Sequence, residues 1–465
     1  MTVSPYFDTF ALYWTGGGKD PGSANMRAAR HMLRKRFQLG LVHAAVAMTL
    51  VPINSTLNRV MIKELAISAT VVAILASLPY LFSPIQVAIG SYSDRHPLLG
   101  FRRTPYIVLG LVLCVSGVIL SPRVAFLMSQ NWWLGVLAGV LAFGAWGMGY
   151  NLSSVSYLSL ASELSGENRR GKTIATMWFM MIVSIIITAI SLSRMLDPYS
   201  PAALMRAFWM VGIAALILGL LGLISLEPRF REVSGSRSES YTIKQMADAI
   251  LGNHQAKLFF WYLLLLLAAI LGQDVLLEPY GAEAFGLSVT ETTRITSLWG
   301  IFVLVAILIA GALEGRVNKR SVAQWGNLGA LAGFVIIFLS GLVPHPGMFY
   351  AGVMLLGSGT GLSTVANLSL MFDLTVPGEV GLFIGAWGFS NAMSRLVGSV
   401  LGGAVRDSVT KLTGQAIIGY LSVFGLESIL LLAAVFLFRR IDVAAFRRQA
   451  QEPLFIEKVA MAADN

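Results

Sequence analysis

The chain has 465 residues, of which 56% are hydrophobic and 12% charged, with a mean hydropathy of +0.71. Soluble domains carry about a quarter charged residues, so this chain cannot coat a soluble surface of its own size and most of it must sit in lipid. That excludes a cytosolic enzyme, a disordered tail and, with Cys114 the single cysteine, a disulfide-built secreted domain. The formal charge is +10, from 34 Lys+Arg against 24 Asp+Glu. In a soluble protein that excess points to nucleic acid; in a membrane protein it reports cytoplasmic loops, and its distribution decides.

In chain order, twelve stretches reach the roughly 20 apolar residues that a helix needs to cross the hydrocarbon core: 36–58, 67–92, 104–122, 132–163, 171–195, 204–226, 257–279, 290–313, 321–343, 347–372, 381–404 and 415–438. The short alternating strands of a membrane barrel are not seen. Arg34, Lys35 and Arg36 stand at the entry to the first span, in place of a cleavable signal peptide. With twelve crossings both termini share a side. That side collects 25 of the Lys and Arg residues; the other holds eight, and Arg395 lies inside a span. Positive residues accumulate on the cytoplasmic face, so the expectation is a multi-pass protein with both termini cytoplasmic and no need of a nucleic-acid partner.

The long polar interruption at Glu227–Ala256 reads as a linker, with a short surface helix at Ile243–Leu251. The expected organisation is a cytoplasmic segment 1–35, a six-helix bundle 36–226, a cytoplasmic linker 227–256, a second six-helix bundle 257–438 and a cytoplasmic tail 439–465. The two bundles are related. A shift of 210 residues lays Gly147–Ile174 on Gly357–Ile384 with 11 of 28 positions identical, among them Gly149/Gly359, Ser153/Ser363 and Gly171/Gly381, while Glu163 matches Asp373 conservatively. Equivalent spans 4 and 10 run the same way, so the repeat is parallel, the plan of major facilitator superfamily (MFS) transporters. The fold expected is therefore an all-α polytopic membrane protein of MFS type, with 12 transmembrane helices in two parallel six-helix repeats.

After span 2 the run Gly90-Ser-Tyr-Ser-Asp94-Arg95-His96-Pro-Leu-Leu-Gly100-Phe-Arg102-Arg103 resembles the MFS loop signature, with three extra residues after His96. The resemblance implies a gating or bracing role, with Asp94 meeting the start of span 11 near Gly381; simple headgroup anchoring by Arg95, Arg102 and Arg103 is the plainer alternative. The second-half counterpart, Gly311–Arg320, lacks the aspartate.

Span 7 carries Gly272-Gln273-Asp274-Val-Leu-Leu-Glu278-Pro279-Tyr280-Gly281. Asp274 and Glu278 are four apart, hence on one helical face. Asp274 falls about 25 Å along a helix that starts near Lys257. A carboxylate at membrane depth costs a few kcal/mol unless it meets a cavity or a partner. Pro279 removes a hydrogen bond to the carbonyl of Val275. Gln273, Asp274, Glu278, Pro279 and Tyr280 are thus a candidate ligand or proton site; Glu278 at the water interface is the bland alternative. Arg395 in span 11 and Glu427 in span 12 are expected to form an intramembrane ion pair across an antiparallel hairpin, with ligand binding by the Arg as the second reading. Asn54, Asn58 and Asn391 are candidate cavity residues. His43 is the one histidine clearly inside a span: a neutral imidazole can ligate the magnesium of a chlorin, but packing is the commoner role. No His/Cys set supports a metal, no Walker loop supports ATP hydrolysis, and nothing supports catalysis.

With Gln273–Gly281 in view, the chain resembles the PucC/LhaA branch of the MFS, the bacteriochlorophyll-delivery family, over roughly 30–440. The resemblance implies a role in assembling light-harvesting antenna complexes in a bacterial inner or intracytoplasmic photosynthetic membrane. It also implies bound or delivered (bacterio)chlorophyll, no other required cofactor, and light-harvesting polypeptides or a pigment synthase as partners beside the lipid bilayer. The Gly-rich spans 4 and 10 are expected to leave shallow grooves, with Met177–Met181, Trp387 and Phe389 available to pack on a macrocycle. A proton-coupled secondary transporter of a small amphipathic solute and a non-transporting scaffold for pigment synthesis or antenna subunits are the other two readings.

Overall fold

Backbone polar groups in lipid must be satisfied within their own segment, so a spanning chain without a closed barrel must be helical. The computed structural model describes residues 21–165, 170–229, 243–313, 316–375 and 380–451. Among them there is no strand beyond a single bridge between Leu98 and Phe101. Span 1 is α1 (Pro21–Met48), continued through π-helical turns at Pro52–Leu57 and Val60–Glu64. Span 2 is broken into α2 (Ala69–Ala76), α3 (Leu78–Leu81) and α4 (Ile85–Arg95), the breaks falling beside Pro79 and Pro84, where proline denies the preceding turn a hydrogen bond. Then follow α5 (Thr104–Gln130), α6 (Trp132–Ser165), α7 (Arg170–Met195) and α8 (Pro201–Leu223), spans 3 to 6. The linker contains α9 (Ile243–Gly252), the expected surface helix.

Span 7 is divided into α10 (His254–Gly272), a 3-10 turn at Gln273–Val275 and α11 (Leu277–Phe285). Spans 8 to 12 are α12 (Val289–Leu313), α13 (Lys319–Leu342), α14 (Pro346–Asp373), α15 (Val380–Thr413) and α16 (Ala416–Phe438), and α17 (Val443–Gln451) forms the tail helix. Among the described residues ten helices are long and apolar enough to cross a membrane. The other two expected spans are helical as well. The second is cut into three pieces by its prolines, and the eleventh is 34 residues of continuous helix, about 51 Å long, whose polar and charged side chains lower its apolarity.

The parallel repeat is visible in which helices touch. In the first half span 1 packs on spans 5 and 6, span 3 on 4 and 6, and span 2 on 4; adding six to every number gives the second half. The halves meet through span 2 on span 11 and span 5 on span 8, two contacts that the same exchange interconverts. Close approach is symmetric too. Gly110 on α5 abuts Gly149 and Ser153 on α6, and Gly326 on α13 abuts Gly359 and Ser363 on α14. At the end where α1 begins and α16 finishes, Arg103 pairs with Glu163 at 2.9 Å and Lys319 with Asp373.

These glycines are buried in helix–helix contacts. Gly147 lies on the backbone of Pro79, Gly357 on Trp299 and Gly361 on Val303, whereas Gly144 faces open space. The grooves expected along spans 4 and 10 are therefore filled by neighbouring helices. Trp387 is likewise a core residue, packed edge-on against Phe259 at 5.0 Å. Large apolar side chains such as Leu141, Ile187, Trp209, Leu308 and Phe436 point outward instead, as a lipid-facing girdle requires. Beneath the second half, α17 inserts Phe446 against Phe383.

Gly149→Ala and Gly359→Ala place a methyl group into a neighbouring backbone and should each destabilise the solubilised protein by about 1–3 kcal/mol. Gly144→Ala should leave thermal unfolding in detergent unchanged or raise its midpoint.

Candidate functional site

The site forms where span 7 breaks. A Cβ on Gly272 would lie 3.0 Å from the backbone of Gly398 on α15, so the glycine pair lets α10 and α15 approach closely at that level. The helix then tightens into the 3-10 turn, and Asp274 points to Arg395 of α15. The ion pair is 3.3 Å long, and each side chain keeps about a quarter of its surface exposed (26% and 29%). Gln273 donates from its amide nitrogen to the same carboxylate at 3.1 Å. Arg395 reaches across to the first half, donating to the Tyr80 hydroxyl at 3.1 Å with its guanidinium 5.2 Å from the centre of that ring. Asn54, Ala76 and Tyr80 of one half and Asp274, Arg395 and Ser399 of the other line a crevice of about 10 Å³, room for roughly one water molecule.

The structure corrects two expectations here. Arg395 pairs with Asp274, and Glu427 is not its partner: Glu427 is 4% exposed and neither of its carboxyl oxygens has a hydrogen-bond partner. Hairpin spacing placed the two at similar depth but said nothing about rotation about each helix axis. Second, Asp274 and Glu278 do not act as an i,i+4 pair, because Asp274 lies in the 3-10 turn and Glu278 in α11. Glu278 is buried, not at a water interface, and its Oε1 accepts from the Thr296 hydroxyl at 2.6 Å. Pro279 is the third residue of α11, in a first turn that tolerates proline; the break lies upstream of it. Tyr280 donates to the carbonyl of Ile337 at 2.9 Å inside an aromatic cluster with Phe349 and Phe424, a core position. Of the five span-7 candidates, Asp274 lines the crevice and Gln273 supports it.

His43 is buried between the rings of Tyr157 and Trp178, at centroid distances of 5.1 and 6.1 Å, with Nδ1 unpartnered. Asn54 lines the crevice, while Asn58 donates to the Asn54 carbonyl at 3.1 Å. In the loop after span 2, Glu227 accepts from the backbone N–H groups of Arg102, Arg103 and Thr104, at 2.7–3.2 Å, capping α5 at its positive end. Arg103 also donates to Ser93 at 2.7 Å. Gly100 has φ +78°, a conformation that favours glycine. Gly90 lies in ordinary contact with Val155, and Arg95 ends α4, exposed. The loop braces its own half. The Asp94 side chain and its expected contact near Gly381 lie outside the described residues.

Sequence reasoning missed a clasp that joins the halves at the end opposite the start of α1. Asp407 of α15 accepts from the Ser68 hydroxyl at 2.6 Å and from Thr70 N–H at 2.8 Å, so it caps α2 from across the interface. Lys63 pairs with Glu283, Arg59 donates to the carbonyl of Leu287 at 3.2 Å, Thr56 meets Thr293 at 3.0 Å, and Thr290 donates to the carbonyl of Leu196 at 3.0 Å. Each contact joins residues more than 90 positions apart, so no local spacing announces it.

Twelve helical segments in two parallel repeats, meeting around a charged crevice and clasped at one end, define a membrane protein of the major facilitator fold. A bacterial homolog of the human lysosomal transporter Spinster, solved in an inward-facing and unoccupied conformation, superposes with a TM-score of 0.67 at 12% identity, over 94% of this chain and 100% of that one. The chain belongs to the PucC protein family, whose model matches residues 56–446. Protein PucC of Rhodobacter capsulatus is 31% identical over 87% of this chain and 91% of its own length. From the same species, the protein named bacteriochlorophyll synthase 44.5 kDa chain is 28% identical over 90% and 97%.

Asp274→Asn leaves the Arg395 guanidinium without its counter-ion. The expected cost is about 1–3 kcal/mol, below the fully buried value because water reaches the pair. Asp274→Asn/Arg395→Gln should recover most of it, read as a positive coupling in a double-mutant cycle of thermal unfolding.

Proposed function

We propose that this protein is a membrane factor for the assembly of bacterial light-harvesting antenna complexes, and that it handles (bacterio)chlorophyll from the lipid side. It does so without catalysis, in the inner or intracytoplasmic photosynthetic membrane, with both termini cytoplasmic. The family and the relative named for bacteriochlorophyll synthase support the pigment. One observation carries the lateral route. The crevice beside Asp274 and Arg395 admits about one water, whereas an open apolar groove of about 430 Å³ lies on the outer surface, lined by Leu33, Arg34 and Phe37 of α1 and Thr176 of α7. Ligand pockets usually measure about 300–1,000 Å³, so the outer groove has the capacity that this crevice lacks. A phytylated macrocycle partitions into lipid and gains nothing from an aqueous passage.

The Asp274–Arg395–Tyr80 bridge between the halves favours a second reading, a secondary transporter of a small amphipathic solute, since a charged interfacial crevice is where coupling between halves is built. With the termini cytoplasmic, the clasped end is periplasmic. Light-harvesting polypeptides or a pigment synthase are the partners of the leading reading.

A strain lacking the gene should accumulate markedly less antenna complex, read by near-infrared absorbance of its membranes, and gently solubilised protein from the native membrane should carry a chlorin spectrum. Phe37→Ala/Leu33→Ser should lower bound pigment several-fold while leaving the thermal midpoint unchanged. Intact antenna in the deletion strain together with a pigment-free preparation rejects the assignment.

A further inference from the structure

Glu427 is the twelfth residue of the 23-residue helix α16, hence near mid-membrane. It is buried, and both carboxyl oxygens lack any hydrogen-bond donor. A carboxylate in that position would be desolvated on both oxygens with no compensating partner, a cost of several kcal/mol, and the bundle offers no relief. Several elements pack against α16: α10, α11, α13 and α15. The ionisable groups that those elements carry within the bundle are otherwise engaged. Arg395 is turned to Asp274 and Tyr80, Arg406 pairs with Asp407 and lies over Tyr420, and Arg320 donates to the carbonyl of Arg439. Tyr262 donates to Asn367, Tyr280 to the carbonyl of Ile337, and Glu278 accepts from Thr296.

We propose that Glu427 is a proton-binding site: a neutral carboxylic acid in the middle of span 12. The cation is a proton and not a metal ion. A sodium or calcium ion needs several oxygen ligands around it, and among the described residues no cluster of three His, Cys, Asp or Glu is in place to hold a metal. A proton needs one oxygen. This inference is independent of the pigment reading, since it concerns a residue on neither groove nor crevice.

Infrared difference spectroscopy of the full-length protein in detergent, with exchange into deuterium oxide, tests it. At neutral pH the wild type should show the carbonyl stretch of a protonated carboxylic acid, lost in Glu427→Gln and retained in Asp274→Asn; Glu427→Gln should keep the wild-type thermal midpoint, because a neutral amide of the same shape replaces a neutral acid. An absent band at neutral pH overturns the proposal, as does a band unchanged in Glu427→Gln. A band that appears only when sodium chloride is replaced by a salt of a bulky organic cation also overturns it, because the site would then hold a metal ion. If Glu427→Gln fails to fold, Glu427→Leu serves: a neutral site tolerates it with the band lost, whereas a cooperative loss of folding in both variants means that the ionised form is required and rejects the proposal.

Discussion

Hydrocarbon tolerates an ionised side chain only where another charge or a donor set meets it, and the arrangement of this protein's centre follows from that constraint. Asp274 is placed by a local failure of the helix: the 3-10 turn after Gly272 swings the carboxylate toward Arg395. The turn in turn depends on Gly272 and Gly398 letting α10 and α15 come together. Arg395 then has a donor left for Tyr80 in the other half. One ion pair thus fixes the course of span 7, the packing of span 11 and the central contact between the halves. Both of its side chains keep part of their surface exposed.

The far-end clasp has a different physical basis. Asp407 works on exposed backbone N–H groups at the start of α2, where the helix dipole and unsatisfied donors favour an anion. Arg59 works on a loop carbonyl and Lys63 on a half-buried Glu283. These are hydrated contacts at a membrane surface, individually modest, and they act together because they lie on one rim. The ion pairs Arg103–Glu163 and Lys319–Asp373 at the opposite end hold each half together within itself. The fold thus ties its halves together at one end and braces each separately at the other.

The repeat was legible in the residues because duplication preserved chemistry where geometry is least forgiving. Gly149/Gly359 and Ser153/Ser363 sit at helix crossings with no room for another side chain, and Glu163/Asp373 each answer a basic residue at the start of the preceding helix. The spans were legible because lipid demands length and apolarity. Span 2 and span 11 met those demands least clearly, and both lie at the interface between the halves, where protein replaces lipid as the neighbour. The surface helix at Ile243–Gly252 was readable for the converse reason, as a short amphipathic run amid polar residues.

By itself the sequence determined that the chain lies in a bilayer, that it is two parallel copies of a six-helix unit, and which acidic and basic residues must find partners at membrane depth. Periodicity and hydropathy carry that information because they report on solvent. Only the tertiary structure decided who pairs with whom: Arg395 with Asp274 and not Glu427, Asp407 with the start of α2, Glu278 with Thr296. Partner choice depends on helix rotation, on a 3-10 turn that changes the register of span 7, and on contacts across hundreds of residues. None of these leaves a mark in local spacing.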